Sequence, residues 1–146
     1  AAECAAGLPA EYDDVLLPVI AQTIPPIASI GLTEKEAAEN HEVSVSTYPM
    51  GGNGFAQLIG EKEGLIKVVA DSNTDLILGI HMIGNSAVEM ISGSALGMEM
   101  AGRDEDFSYP YYPHPHTSES LQEAMEALKG RAVHLPPVKQ REFSKV

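Results

Sequence analysis

The chain has 146 residues, 44% of them hydrophobic and 21% charged, with a formal net charge of -12. That length and balance suit one soluble domain with a real core, leave little room for a second, and exclude a chain too polar to fold. The charge offers no basic patch for a nucleic acid, no apolar run approaches the ~20 residues that span a bilayer, and the only cysteine, Cys4, excludes an internal disulfide or zinc cluster.

In chain order, the first 20 residues mix alanine-rich and acidic pieces with Gly7, Pro9 and Pro18, which predicts irregular or partly helical chain. Pro25 and Pro26 disfavour helix and lead into a short extended run over 27–30. Thr33 with Glu36 three residues on is a capping box, opening a short helix in "EKEAAE". "HEVSVSTYPM" alternates Val43, Val45 and Thr47 with polar neighbours and reads as a strand. "GGNG" at 51–54 reads as a turn, without the preceding strand and following helix that would make it a phosphate loop. Residues 65–70 and 76–83 are β-rich runs joined by the turn-forming 71–75, an antiparallel hairpin. From 86 to 101, Ala87, Met90, Ile91, Ser94, Ala95 and Met98 recur at three- and four-residue steps, an amphipathic helix ending at Gly102. Asp104 to Asp106 open another helix that Pro110 and Pro113 stop, and "SESLQEAMEALKGR" forms a last one, capped at Ser118 and closed by Gly130. Strands come early and helices late. The expected class is therefore α+β, a mainly antiparallel sheet of about five strands with helices packed on it.

Most of the chemistry-bearing side chains have a structural explanation. Gly93 and Gly97 form a GxxxG pattern that outside a membrane means close packing against a neighbouring backbone. Met90, Met98 and Met100 read as filler for a core or a subunit interface. His41 and His134 read as surface residues, and His81 as a satisfied structural histidine within a strand.

The stretch "YYPHPHTSES" is harder to dismiss. Two of the chain's 5 histidines, His114 and His116, stand among prolines directly before a helix start. Proline on both sides of His114 lowers the entropy lost in holding its ring. Glu119, in the first turn of the following helix, could fold back onto that ring, select its tautomer and stabilise the imidazolium. A structural loop remains open on the residues alone, as does a His-x-His zinc site from His114 and His116. The zinc reading lacks a third strong ligand, so no metal is expected.

"HPHTSESLQEA" resembles the His-Pro-Thr-x-Ser-Glu signature at the C-terminus of the flavin-dependent disulfide reductases, the dihydrolipoamide dehydrogenases with glutathione reductases as relatives. "IASIGLTEKEA", "LIKVVADSNTDLILGIHMIG" and "SAVEMISGSALGMEM" resemble further segments of that family in the same order, so the likeness runs from about Thr23 to Leu128. The resemblance implies an interface, or dimerisation, domain over 23–134, preceded by a lead-in over 1–22 and followed by a loose tail over 135–146. It also implies a homodimer in which His114 is the base at the partner subunit's dithiol site, Glu119 orients it, and Pro115 lies near the partner's flavin. The His114–Pro115 bond is expected to be cis.

FAD, NAD and the redox-active disulfide would belong to domains of the same polypeptide that this sequence lacks, with a lipoyl-bearing protein as substrate. This fragment by itself is then expected to bind no cofactor and to be inactive. The setting is expected to be cytoplasmic, and the opening "AAECAAGLPAEYDDV", with neither an initiator methionine nor the make-up of a signal peptide, suits a piece of something longer.

Three features depart from the family pattern. His116 stands where threonine is usual, which leaves a second register with His116 as the base. Pro26 replaces an acidic residue, and the cysteine pair is missing. Two other readings remain: the interface domain of a glutathione-type reductase, and a free-standing dimerisation module without catalysis.

Overall fold

A computed structural model describes residues 2–10 and 14–135. Five strands, β1 (Val19–Ala21), β2 (Ile27–Gly31), β3 (Val43–Pro49), β4 (Leu65–Asp71) and β5 (Ile77–Ile83), form one antiparallel sheet in the order β1-β2-β5-β4-β3. Among the described residues the helices are α1 (Ala2–Ala5), α2 (Glu34–Ala37), α3 (Gly54–Ile59), α4 (Ala87–Glu99), α5 (Asp104–Ser108) and α6 (Glu119–Leu128), with a 3-10 turn at Met50–Gly52 before α3. The expected α+β class and five-stranded sheet are what the chain forms.

Alternation decides which face of the sheet is covered. Ile66 and Val68 on β4, and Ile80 and Met82 on β5, are buried, whereas Lys67 and His81 lie opposite each other on the other face and are half-buried. A one-residue slip would exchange the two sets, so burial of one face fixes the register. The covered face packs against α4 through Ile91 and Met98 and against α6 through Leu121, Ala124 and Met125. Full burial of a side chain such as Leu121 or Met125 stabilises by about 1.5–3 kcal/mol. Two polar links, one buried and one half-buried, add direction to this packing. Ser46 Oγ donates to the Ala124 carbonyl (2.6 Å), tying β3 to α6, and Gln122 Nε2 donates to the Ser108 carbonyl (2.8 Å), tying α6 to α5. On the opposite face Ala37, Val69 and Leu78 make a smaller cluster beneath α2, which opens on the expected Thr33–Glu36 capping box.

Several local expectations are revised. The irregular chain expected before residue 20 contains the start of β1, whose three residues pair with β2 at Val19↔Ser29 and Ala21↔Ile27. "GGNG" does have a strand before it and a helix after it. Asn53 caps α3 by accepting the Ala56 N–H (2.9 Å), and Gly60, at φ +78°, ends that helix in the left-handed conformation that glycine tolerates. Gly97 packs against a ring and not a backbone: a Cβ there would lie 2.5 Å from Phe107, while Gly93 faces open space. Of the methionines, Met98 is in the core and Met100 is 75% exposed. The 135–146 tail lies outside the described residues except for Leu135.

His81 is satisfied, with Nδ1 2.5 Å from Ser29 Oγ and Nε2 3.1 Å from the Leu32 carbonyl. His41, expected at the surface, is partnered: its Nδ1 meets Asp71 Oδ2 at 2.7 Å. Asp71 also accepts the Asn73 and Thr74 N–H groups through Oδ1, closing the β4–β5 turn. The His41 ring and these N–H groups together hold the Asp71 carboxyl down at about 2, below its ordinary 3.8.

A carboxyl whose folded value is depressed contributes stability that is fully present above its unfolded value and lost as pH falls through the folded one. Urea midpoints should therefore decline as pH drops from about 4 towards 2. That decline should be shallower in Asp71→Asn, and parallel acid limbs in the two proteins would refute this account of the turn.

Candidate functional site

The site is built at the N-terminal end of α6. Leu121, Ala124 and Met125 pack into the core, and Glu119 and Glu123, one turn apart, share another side of the helix. Ahead of it the chain from 109 to 118 leaves α5 through a proline-rich loop. Tyr112 anchors that loop by donating its hydroxyl to the Phe107 carbonyl (2.7 Å), and burial pushes its phenol up to about 12. The Ser118 side chain makes no cap for α6, contrary to expectation; it lies against the His116 ring instead. The carboxylate of Glu119 does the linking at this end.

Glu119 makes two bonds with its two oxygens. Oε1 is 2.8 Å from His114 Nδ1, and Oε2 accepts the backbone N–H of His116 at 2.9 Å. Burial pushes this carboxyl up, but the His116 N–H and the His114 ring outweigh it, so its value ends below the usual one. An ionised carboxylate only accepts hydrogen bonds, so His114 Nδ1 must be the protonated nitrogen. The neutral ring then presents Nε2, with its lone pair, to the outside, and the His114 side chain is 80% exposed. The His114–Pro115 bond is cis.

His116 has the opposite arrangement. Its Nδ1 accepts the Ser118 N–H at 3.2 Å, with Ser118 Oγ at 3.0 Å, which puts the ring proton on Nε2. The ring lies parallel to that of Phe55, centroids 5.9 Å apart and planes 17° off. Glu119 reaches His116 only through the backbone. The structure thus brings His114 and Glu119 together, and among the described residues no carboxylate bonds to the His116 ring. Among the described residues, no three His, Cys, Asp or Glu side chains are placed to hold a metal ion.

Glu123 repeats the arrangement one turn on, with Oε1 3.1 Å from His134 Nδ1 and Oε2 accepting the His134 N–H at 2.9 Å. Beneath both carboxylates lies Tyr48, buried to 1% exposure. Burial first, then the charges of Glu123 and Glu119, push its phenol up to about 12, so it remains a neutral group under two anions. Two members of this neighbourhood escape sequence reasoning. Phe55 carries no signal, whereas Asn53 does: a capping residue, six positions without proline and then Gly60 spell a short helix.

Beside the site, α4, α5 and the 109–118 loop enclose a groove of about 750 Å³, lined by Met90, Gly93, Leu96, Met100, Phe107 and Tyr112 among others. Its charged lining residues are Glu89 and Asp106, with no lysine or arginine. No helix among the described residues is long and apolar enough to cross a membrane.

The chain belongs to the pyridine nucleotide-disulphide oxidoreductase family, whose dimerisation domain it matches over residues 17–125. It is 42% identical over 135 residues to dihydrolipoyl dehydrogenase 2 of Haloarcula marismortui, and 43% identical over 136 residues to dihydrolipoyl dehydrogenase of Thermus scotoductus. Each alignment covers 92% of this chain and 29% of the relative, so the chain spans less than a third of the curated relatives it matches. Among solved structures, LpdA from Mycobacterium tuberculosis shares the fold with a TM-score of 0.78 at 20% identity, over 86% of this chain and 28% of that one. The HOCl-induced flavoprotein disulfide reductase RclA from Escherichia coli is similar at a TM-score of 0.72 and 25% identity, over 75% of this chain and 26% of that one.

The tautomer of His114 is open to direct measurement. Nitrogen-15 NMR above the ring's titration range should find it protonated at Nδ1 and His116 protonated at Nε2. In Glu119→Ala the His114 ring should lose its Nδ1 preference. A wild-type His114 ring protonated at Nε2 would mean that the pair does not form in solution.

Proposed function

We propose that this chain is the C-terminal dimerisation domain of a dihydrolipoamide dehydrogenase, and that His114, oriented by Glu119, acts as base at the dithiol site of the partner subunit. The observation that carries the reading is the state of the His114 ring: Nδ1 is taken up by Glu119 and Nε2 is free on an exposed side chain. A thiol attacks a disulfide as its thiolate. His114 Nε2 takes the proton from the S–H of the dithiol, and the new imidazolium donates to an ionised Glu119. His116 is the poorer base, because protonating its Nδ1 would break the bond from the Ser118 N–H. The dithiol is carried by a lipoyl-bearing protein, a substrate consistent with the relatives' names.

The groove does not fit FAD or NAD. Both carry a diphosphate, and its lining has two acids, one histidine and no lysine or arginine. Both cofactors are assigned to the remainder of the polypeptide, along with the redox disulfide, so the 146-residue chain is inactive alone. In this reading residues 1–22 lead out of the preceding domain, 23–134 form the interface domain, 135–146 are a tail, Pro115 approaches the partner's flavin, and the setting is cytoplasmic.

The groove instead suits a second copy of the chain. Leu96 is 65% exposed and Met100 75% exposed on the same helix as Gly93, whose missing side chain leaves room for close approach. Such a contiguous apolar surface is normally covered in a working assembly.

In the complete polypeptide, His114→Ala should cut dihydrolipoamide oxidation about 10²–10⁴-fold, the usual loss for a positioned base, and activity near the wild-type level would sink the assignment. Sedimentation tests the pairing. The wild-type polypeptide should be a dimer and the double variant Leu96→Glu, Met100→Glu a folded monomer, whereas a double variant that stays dimeric places the interface elsewhere.

A further inference from the structure

We infer that Asn53 is a positioning residue for His114, a role that rests on His114 being the base. Asn53 stands 61 positions before His114 in the sequence and makes no bond to its ring; its effect passes through the main chain of His116. The side chain of Asn53 is divided between two tasks. Its Oδ1 accepts the Ala56 N–H (2.9 Å), capping α3, and its Nδ2 donates to the His116 carbonyl at 3.0 Å. Only one orientation of the amide satisfies both partners, since one is a donor and the other an acceptor. Asn53 is 5% exposed, so neither bond is readily replaced by water.

The consequence lies at residue 116. Its N–H is held by the Glu119 carboxylate, its carbonyl accepts Asn53 Nδ2 at 3.0 Å and, at the longer distance of 3.4 Å, the Glu119 N–H, and its ring rests on Phe55. Both main-chain polar groups of this residue are therefore fixed from opposite sides, by α6 and by the N-terminal end of α3. The Glu119 oxygen on one side belongs to the same carboxylate that holds His114 Nδ1. Without the Asn53 bond the 116 carbonyl keeps only its longer contact to the Glu119 N–H, so the loop can shift against α6 and the short His114–Glu119 contact lengthens with it. The anchor itself does not move: the turn ahead of Asn53 contains Met50, 1% exposed in the main core, and the Met50 N–H donates to the Gly64 carbonyl (3.0 Å).

Asn53→Ser separates the two tasks. Serine caps a helix as well as asparagine, but it is too short to reach the His116 carbonyl and carries no charge. Asn53→Asp is the second variant, also a good cap, which puts an acceptor where the donor was. Two readouts are needed. In the 146-residue chain, nitrogen-15 NMR of His114 reports pairing with Glu119 independently of any catalysis. In the complete polypeptide, dihydrolipoamide oxidation gives kcat and KM separately.

Both variants should melt close to wild type, lose the Nδ1-protonated state of His114, and lower kcat roughly 10- to 100-fold, as small misplacements of a reacting group do, with KM nearly unchanged. A wild-type NMR signature, or a lost signature with an unchanged kcat, overturns the role. Unfolding of both variants also overturns it, since Asn53 would then serve the fold alone. His114→Ala, run beside them, separates this from failure of the base assignment: if it retains activity the base reading falls, while the NMR comparison still decides whether Asn53 holds the ring.

Discussion

The position of α6 governs everything at this end of the molecule. The helix is held by Leu121, Ala124 and Met125 against β3 and β4, and by the bonds Ser46–Ala124 and Gln122–Ser108. Apolar burial supplies most of the stabilisation but is indifferent to small rotations and slides, whereas the two hydrogen bonds have a defined length and direction. Between them they fix which way the first turn of α6 faces. Glu119 is the first residue of that turn, and the loop from 109 to 118 is organised around its carboxylate.

The two carboxylates on that face use one chemical device twice. Each gives one oxygen to a histidine Nδ1 and the other to a backbone N–H. For Glu123 both donors belong to His134, so the arrangement simply ties down the chain after α6. For Glu119 the ring belongs to His114 and the N–H to His116, so the same device spans a proline and sets a loop's shape. That difference explains why the His114 ring stands out into solvent, 80% exposed and yet oriented. It also explains the buried Tyr48 below. A neutral phenol, kept so by burial and by the two anions, fills space that a charged group could occupy only at great cost.

What could be read from the sequence follows the range of the interactions concerned. The β4–β5 hairpin, the α4 stripe and the Thr33–Glu36 box are local patterns whose partners lie within a few positions, and each is visible in the residues themselves. His114 and Glu119 were legible together for the same reason, being five residues apart. β1 was not, because three largely exposed residues between Pro18 and two further prolines carry no alternation; only β2 beside them makes them a strand. The α3 helix was obscured by the glycines around its cap. The Asn53–His116 bond, 63 residues apart in the chain, depends on tertiary packing that no local period reports.

The same reasoning shows why a residue type does not fix a role. His114 and His116 share flanking prolines, sequence neighbourhood and exposure, yet their protons sit on opposite nitrogens because one meets a carboxylate and the other a backbone N–H. An acceptor opposite Nδ1 leaves a base at Nε2; a donor opposite Nδ1 leaves a donor there. The second environment suits a ring that packs, as His116 does on Phe55, and the first suits one that takes up protons.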